Sequence, residues 1–161
     1  MAFKKIIAFE PDRLNFERLQ EYLLGLPERV RARILAFRKA VGSYNGQVPF
    51  DSTGTVGSGM ADENHPEKVE LVTLDQDLPD VPSYIKMDIE GEEVEALQGC
   101  ERLIAKYMPA LAICVYHRWD DLWRVPLMIN SFSPQHYKFF LRTYAQEGWE
   151  LVCYAIPEAR G

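Results

Sequence analysis

The chain has 161 residues, 47% of them hydrophobic and 26% charged, which suits one soluble domain with a sizeable core. Its 24 acidic residues outnumber 18 basic ones, and the formal charge of −6 argues against a nucleic-acid partner, because phosphate contacts need clustered Lys and Arg. No apolar run reaches membrane-spanning length and no signal peptide is visible, so a cytoplasmic chain without a membrane partner is expected.

In chain order, Lys4–Phe9 reads as a strand ended by Glu10-Pro11-Asp12. A helix follows over Arg13–Leu24, with Leu14, Phe16, Leu19 and Leu23 as its apolar stripe and Gly25 and Pro27 as its stop. The basic run Arg29–Lys39 is interleaved with apolar residues and reads as a helix-to-strand passage, with Arg33–Val41 as the second strand. Gly46–Asn64 is rich in Gly, Ser and Thr and reads as a long loop, of a length that is usually functional or disordered. Val69–Leu74 is a short strand and Asp75–Pro82 a linker. Ser83–Met87 follows as a buried strand, Asp88–Gly91 as a turn and Glu92–Ile104 as a helix whose stripe holds Val94, Leu97, Leu103 and Ile104. Ala110–Tyr116 is another apolar strand, and Asp120–Phe132 a short helix disturbed at Pro126. Tyr137–Tyr144 and Trp149–Ile156 alternate as two strands around Gln146-Glu147-Gly148, a hairpin signal.

This order predicts a single α/β domain: a mostly parallel sheet with helices on both faces and an antiparallel hairpin at its C-terminal end. Cys100, Cys114 and Cys153 cannot all pair within the chain and lack metal spacing, so buried free thiols are expected.

Ligands of open α/β sheets bind beyond the carboxyl ends of the strands, which directs attention to Glu10, Asp88, Glu90 and His117. An acid in the place of Glu10 can accept hydrogen bonds from both hydroxyls of a ribose; equally, it can be a carboxylate at a helix start, where Asp12 is itself a good N-cap. Asp88 and Glu90 follow the central strand, where acids also complement a helix dipole, as Glu92 and Glu93 are read to do. His117 follows a buried strand; a lone His there is more often structural, but one with an ordinary pKa accepts a proton at neutral pH. Lys86 lies within a strand, where it must reach an edge or a carboxylate. Tyr116, Trp119 and Trp123 could stack on a sugar ring, and core or rim packing is the favoured reading for them. The sequence contains no G-x-S-x-G, H-E-x-x-H, C-x-x-C or Walker loop.

Several segments together are specific. They are I-I-A-F-E-P-D-R-L-N-F at Ile6–Phe16, A-V-G-S at Ala40–Ser43, V-T-L-D at Val72–Asp75, Y-I-K-M-D-I-E-G-E-E-V-E-A-L-Q-G at Tyr84–Gly99 and Y-H at Tyr116–His117. With them the chain resembles the FkbM-type S-adenosylmethionine-dependent methyltransferases nearly end to end. The resemblance implies a class I methyltransferase-like (Rossmann-like) sheet of order 3-2-1-4-5-7-6 with a reversed terminal hairpin. It also implies methyl transfer from S-adenosylmethionine to the hydroxyl of a small-molecule or glycan acceptor. By position, Glu10 would hold the cofactor ribose, Ala40 and Val41 would lie by the adenine, and Asp88 would close the site by the methionine moiety. Glu90 and His117 would position or deprotonate the acceptor. The family's Gly-rich turn and first strand ahead of A-F-E-P have no counterpart among the nine residues before Glu10. The expectation is therefore an N-terminally truncated domain with weak or absent catalysis: a fragment of a longer protein, a sheet that closes up differently, or a homodimer in which a second chain supplies the missing strand. The alternative function is a non-catalytic binding or dimerisation module. A nicotinamide-dependent dehydrogenase ranks last, because it explains neither D-I-E-G nor the closing hairpin.

Overall fold

A computed structural model describes residues 3–55, 58–145 and 150–158, which gather into two compact units. The first comprises residues up to Val41 with Asn45–Val72, and the second Gly42–Tyr44 with the chain from Thr73 onward.

The first unit opens with β1 (Ile6–Phe9) and α1 (Arg13–Leu24), followed by the short α2 (Glu28–Arg31) and β2 (Ile34–Phe37). β1 and β2 pair in parallel, Ile6 opposite Ile34 through Phe9 opposite Phe37. The basic run thus enters a helical turn and then a strand, as its interleaving suggests. Arg33–Val41 is not one strand. It divides at Arg38 into β2 and β3 (Lys39–Val41), which join different sheets. Arg38 is held there by an ion pair with Glu67, which also accepts from the Ser52 hydroxyl at 3.0 Å.

Gly46–Asn64 is likewise not a plain loop. β4 (Gly46–Asp51) and β5 (Gly59–Met60) form an antiparallel pair, and β4 also pairs antiparallel with β6 (Lys68–Val72). The signal was the alternation of Val48 and Phe50, both buried, which the surrounding Gly, Ser and Thr obscure. With β3 parallel to β6, the second sheet runs β3-β6-β4-β5, and Ala40, Val48, Phe50, Val69 and Leu71 form its buried cluster.

Asp12 secures the start of α1. Its carboxylate is buried, and accepts from the backbone N–H of Asn15 at 2.8 Å, from that of Gly54 at 2.8 Å and from the Ser58 hydroxyl. Burial alone would raise its pKa, but these donors outweigh it and hold the value below the ordinary 3.8. Asp12→Ala is expected to cost about 2–4 kcal/mol, a lost cap plus hydrogen bonds to a buried charge. Because the folded pKa is depressed, that contribution is complete above the ordinary carboxylate value and disappears as pH falls through the folded one. Urea unfolding of the two proteins at neutral pH and near pH 2 checks both the size and the sign.

The second unit holds α3 (Leu74–Asp77), β7 (Tyr84–Met87), α4 (Glu93–Gln98), α5 (Glu101–Tyr107), β8 (Ala110–Cys114), α6 (Asp121–Phe132), β9 (Tyr137–Thr143) and β10 (Leu151–Pro157). Its sheet runs β7-β8-β10-β9, with β7 parallel to β8 and the remaining pairs antiparallel. β8 is buried along most of its length between β7 and β10, which is why it reads as an unbroken apolar run. The turn signal Gln146-Glu147-Gly148 lies outside the described residues, whereas the β9–β10 pairing from Thr143 opposite Leu151 to Tyr137 opposite Pro157 is the expected hairpin ladder. The two internal orders, β2-β1 and β7-β8-β10-β9, agree with the 3-2 and 4-5-7-6 stretches of the expected sheet.

The mixed α/β class is as expected, but the sheet is not mostly parallel. Three strand pairings are parallel and four antiparallel among the described residues, because β4 and β5 add antiparallel neighbours to the closing hairpin. The predicted linker Asp75–Pro82 begins inside a helical turn, α3. The predicted helix Glu92–Ile104 is two helices, broken at Gly99-Cys100. Asp75 supplies the break: its N–H donates to the Gly99 carbonyl at 2.9 Å, and its carboxylate accepts from the N–H groups of Arg102 and Leu103 at 3.0 and 2.8 Å. A side chain from α3 therefore does for α5 what a local N-cap does elsewhere. α6 runs continuously through Pro126. Leu97, Ile104, Leu111, Ile113, Val125 and Ile129 are fully buried here, each contributing about 1.5–3 kcal/mol of transfer free energy. Cys100, Cys114 and Cys153 are buried free thiols. No helix among the described residues is long and apolar enough to cross a membrane.

Candidate functional site

β7 ends at Met87, and the next four residues turn the chain into α4. Glu90 has φ 57° and Gly91 φ 96°, two successive left-handed residues. A non-glycine in that conformation costs about 1–2 kcal/mol and persists only where its surroundings hold it. At Gly91 the positive φ disfavours any side chain, and a Cβ would also press on the Arg118 Nε at 3.0 Å. The turn brings Asp88 and Glu90 to the segment that leaves β8, where Tyr116, His117 and Arg118 lie.

His117 is the centre of this cluster. Its side chain is 8% exposed, and Nδ1 lies 2.9 Å from the Glu93 Oε1. The same oxygen accepts the Ile89 N–H at 2.9 Å. Nε2 faces the Asp88 Oδ1 at 3.6 Å and the Glu90 Oε2 at 3.7 Å, too far for a hydrogen bond to either. Burial works against a charged imidazole, but the hydrogen bond to Glu93 and the charges of Glu93, Glu90 and Asp88 overcome it, so the His117 pKa stands above its usual 6.5.

Asp88 is the best-connected carboxylate at the mouth of the cluster. It accepts from the Lys86 ammonium at 3.0 Å and from the Tyr116 hydroxyl at 3.2 Å. Burial would raise its pKa, yet these donors and the Cys114 thiol hold it below its ordinary value. Lys86, placed by sequence inside a strand, meets its carboxylate here. The Cys114 thiol is pushed up to about 12 by burial and by Asp88, so it is no nucleophile at neutral pH. The Tyr116 ring lies 4.1 Å from that of His117, centroid to centroid, and Arg118 pairs with Glu92 at 2.9 Å.

Sequence reading brought out Asp88, Glu90 and His117, and these three come together. It overlooked two others, Glu93 and Asp121, both fully buried. Glu93 had been assigned to the helix dipole. Asp121, at the first turn of α6, has neither carboxyl oxygen hydrogen-bonded, and burial together with the Glu93 charge raises its pKa. The overlooked signal is spacing: Glu93 precedes Leu97 by four residues, and Asp121 precedes Val125 and Ile129 by four and eight. Each acid thus stands on an apolar helical stripe where a solvated charge does not belong. Among the described residues no group of three or more His, Cys, Asp or Glu is arranged to hold a metal ion.

The other candidates lie in the first unit. Glu10 directly follows β1, where its Oε1 accepts the Asp12 N–H at 2.9 Å; burial raises its pKa, only partly offset by that bond. Ala40 is buried in the β3-β6-β4 cluster and Val41 closes β3. Trp119 is 82% exposed and Trp123 half-exposed, so neither belongs to the core; their rings pack edge-on against each other at 5.1 Å on the surface.

Comparison with known proteins gives two findings. The family model of the methyltransferase FkbM domain matches residues 3–146. The crystal structure of methyltransferase FkbM from Methylobacillus flagellatus KT is similar to this chain at 30% identity and TM-score 0.81. The similarity covers 95% of this chain, which spans 36% of the length of that protein. No curated protein matches the sequence.

Proposed function

The chain belongs to the FkbM methyltransferase family, and on that premise we propose that it serves S-adenosylmethionine-dependent O-methylation of a sugar or natural-product hydroxyl. The observation that carries this reading is the His117 Nε2, directed toward Asp88 and Glu90 and hydrogen-bonded to neither. S-adenosylmethionine supplies an electrophilic sulfonium methyl. The acceptor hydroxyl has then to be aligned and relieved of its proton, which is work for a base near neutrality between two orienting carboxylates. In this reading His117 accepts that proton at Nε2, and Glu90 and Asp88 position the acceptor at the mouth. Asp88 is also assigned to the methionine moiety, which its low pKa and its bond to Lys86 support, since an ionised carboxylate suits a cationic group. Glu10 is assigned to the ribose: a carboxylate at a strand end, half-buried, with one oxygen anchored by the Asp12 N–H, fits a vicinal diol. Ala40 and Val41 are assigned to the adenine side.

Calorimetric titration with S-adenosylmethionine tests the assignment. Wild-type protein is expected to bind, and Glu10→Ala to bind about 10–100-fold more weakly, the worth of hydrogen bonds to a charged acceptor. No heat either from this chain or from a longer protein that carries the family's Gly-rich turn and first strand overturns the cofactor reading.

A second reading is favoured by the strand edges. β1 pairs only with β2 and β7 only with β8 among the described residues, so each offers an open edge to another strand. A non-catalytic homodimerisation module would sediment as a dimer at micromolar concentration and give no heat with S-adenosylmethionine. A monomer rules that module out.

A further inference from the structure

We propose that Glu93 is the positioning residue of this site, fixing His117 in the tautomer that carries its hydrogen on Nδ1 and presents the Nε2 lone pair to the acceptor. The inference rests on the O-methyl-transfer reading for its consequence, but its structural content stands apart from it. Three observations carry it. Glu93 Oε1 is fixed by the Ile89 N–H at 2.9 Å, inside the turn that also sets Asp88 and Glu90. That oxygen is 2.9 Å from His117 Nδ1, and a carboxylate oxygen can only accept, so Nδ1 donates. The Glu93 side chain is fully buried, so no surrounding solvent competes for the imidazole.

A buried acid on an apolar stripe is costly unless it holds something. Here one oxygen joins the turn to the imidazole, so the mouth carboxylates and the base are set by a single group. Tautomer selection by the partner of the opposite nitrogen is the general way a protein chooses which imidazole nitrogen reacts. The groups facing His117 are Glu93 from α4, Asp88 and Glu90 from the turn, and Tyr116 beside it on the segment after β8. Asp121 from α6 acts on Glu93, and the Arg118–Glu92 pair lies alongside. Burial, followed by the Glu93 charge, raises the Asp121 pKa, so the two buried acids act on each other.

The test has two parts. Ring-nitrogen NMR of wild-type protein, above the His117 pKa, is expected to show the Nδ1–H tautomer, and Glu93→Leu, which removes the acceptor, to shift the population toward Nε2–H. Glu93→Gln keeps a carbonyl oxygen for the Ile89 N–H and Nδ1 and should keep the tautomer. In the methyl-transfer assay Glu93→Gln is expected to lower kcat about 10²–10⁴-fold with little change in KM, the range in which a buried acid-to-amide exchange acts on a neighbouring His. Its acid limb should move to lower pH, because the amide no longer stabilises the imidazolium. A loss of packing alone would move neither tautomer nor limb. An Nε2–H tautomer in the wild type overturns the inference without any variant having to fold. An unchanged tautomer in a folded Glu93→Leu protein, or an unchanged limb in a folded Glu93→Gln protein, overturns it as well. The expected tautomers in a wild type that transfers no methyl group would uphold the positioning role and sink the O-methylation reading alone.

Discussion

His117→Ala is expected to lower kcat/KM for transfer to a hydroxyl acceptor by about 10²–10⁴-fold, the usual contribution of a placed general base. S-adenosylmethionine affinity should stay within a few-fold of wild type, because the imidazole is assigned to the acceptor and not to the cofactor. The pH dependence gives the sharper test. The His117 pKa is raised, so the base is blocked by a proton to higher pH than an ordinary imidazole, and activity should rise through a limb above 6.5. The variant should lose that limb along with the rate. Stability runs in the opposite direction. A pKa raised by Glu93, Glu90 and Asp88 means the imidazolium supports the fold fully below the ordinary value, and that support is lost as pH rises through the folded value. Activity and this stability term should therefore cross over the same interval with opposite slopes, measured by steady-state rates and urea midpoints. His117→Ala activity within fivefold of wild type would remove His117 from the chemistry and leave the cluster a structural ion network.

Legibility in the sequence followed the range of the interactions. β1, α1, β7, β8 and the closing strands were readable because their apolar patterns are local and strong. Asp88, Glu90 and His117 were readable because each stands just past a strand end. What failed depended on partners distant in the chain. The break at Gly99-Cys100 is made by Asp75, and the break at Arg38 by Glu67, neither visible from the segment it interrupts. β4 and β5 need the β6 ladder to become strands at all, since Val48 and Phe50 give only two apolar steps in a Gly- and Thr-rich stretch. Glu93 and Asp121 were legible in principle. Their spacing placed acids on buried stripes, but a rule that assigns acids near a helix start to the dipole took precedence. The useful correction is to ask first which face such an acid occupies.

Gly99→Ala is the substitution expected to damage the fold most for the least change in chemistry. Gly99 caps α4 and its φ of −73° is open to any residue, so the requirement for glycine there is spatial rather than conformational. An added Cβ would stand 1.9 Å from the Gly42 carbonyl oxygen and 3.0 Å from its carbon, both backbone atoms, and 3.4 Å from the Thr73 Cα. A flexible side chain could move aside; a peptide group cannot without dragging its neighbours. The same residue anchors the break between α4 and α5, since its carbonyl accepts the Asp75 N–H while the Asp75 carboxylate caps α5. Relieving the collision would thus pull on the cap, and the cost should reach or exceed about 3 kcal/mol, the upper range for overpacking. Gly59→Ala is the control: its added Cβ meets nothing within 4 Å, and the expected change is within about 0.5 kcal/mol. Urea denaturation of the three proteins decides the matter. A Gly99→Ala midpoint indistinguishable from that of Gly59→Ala would mean that the Gly42 segment yields freely, and that the close approach of the two glycines is not what divides the helix.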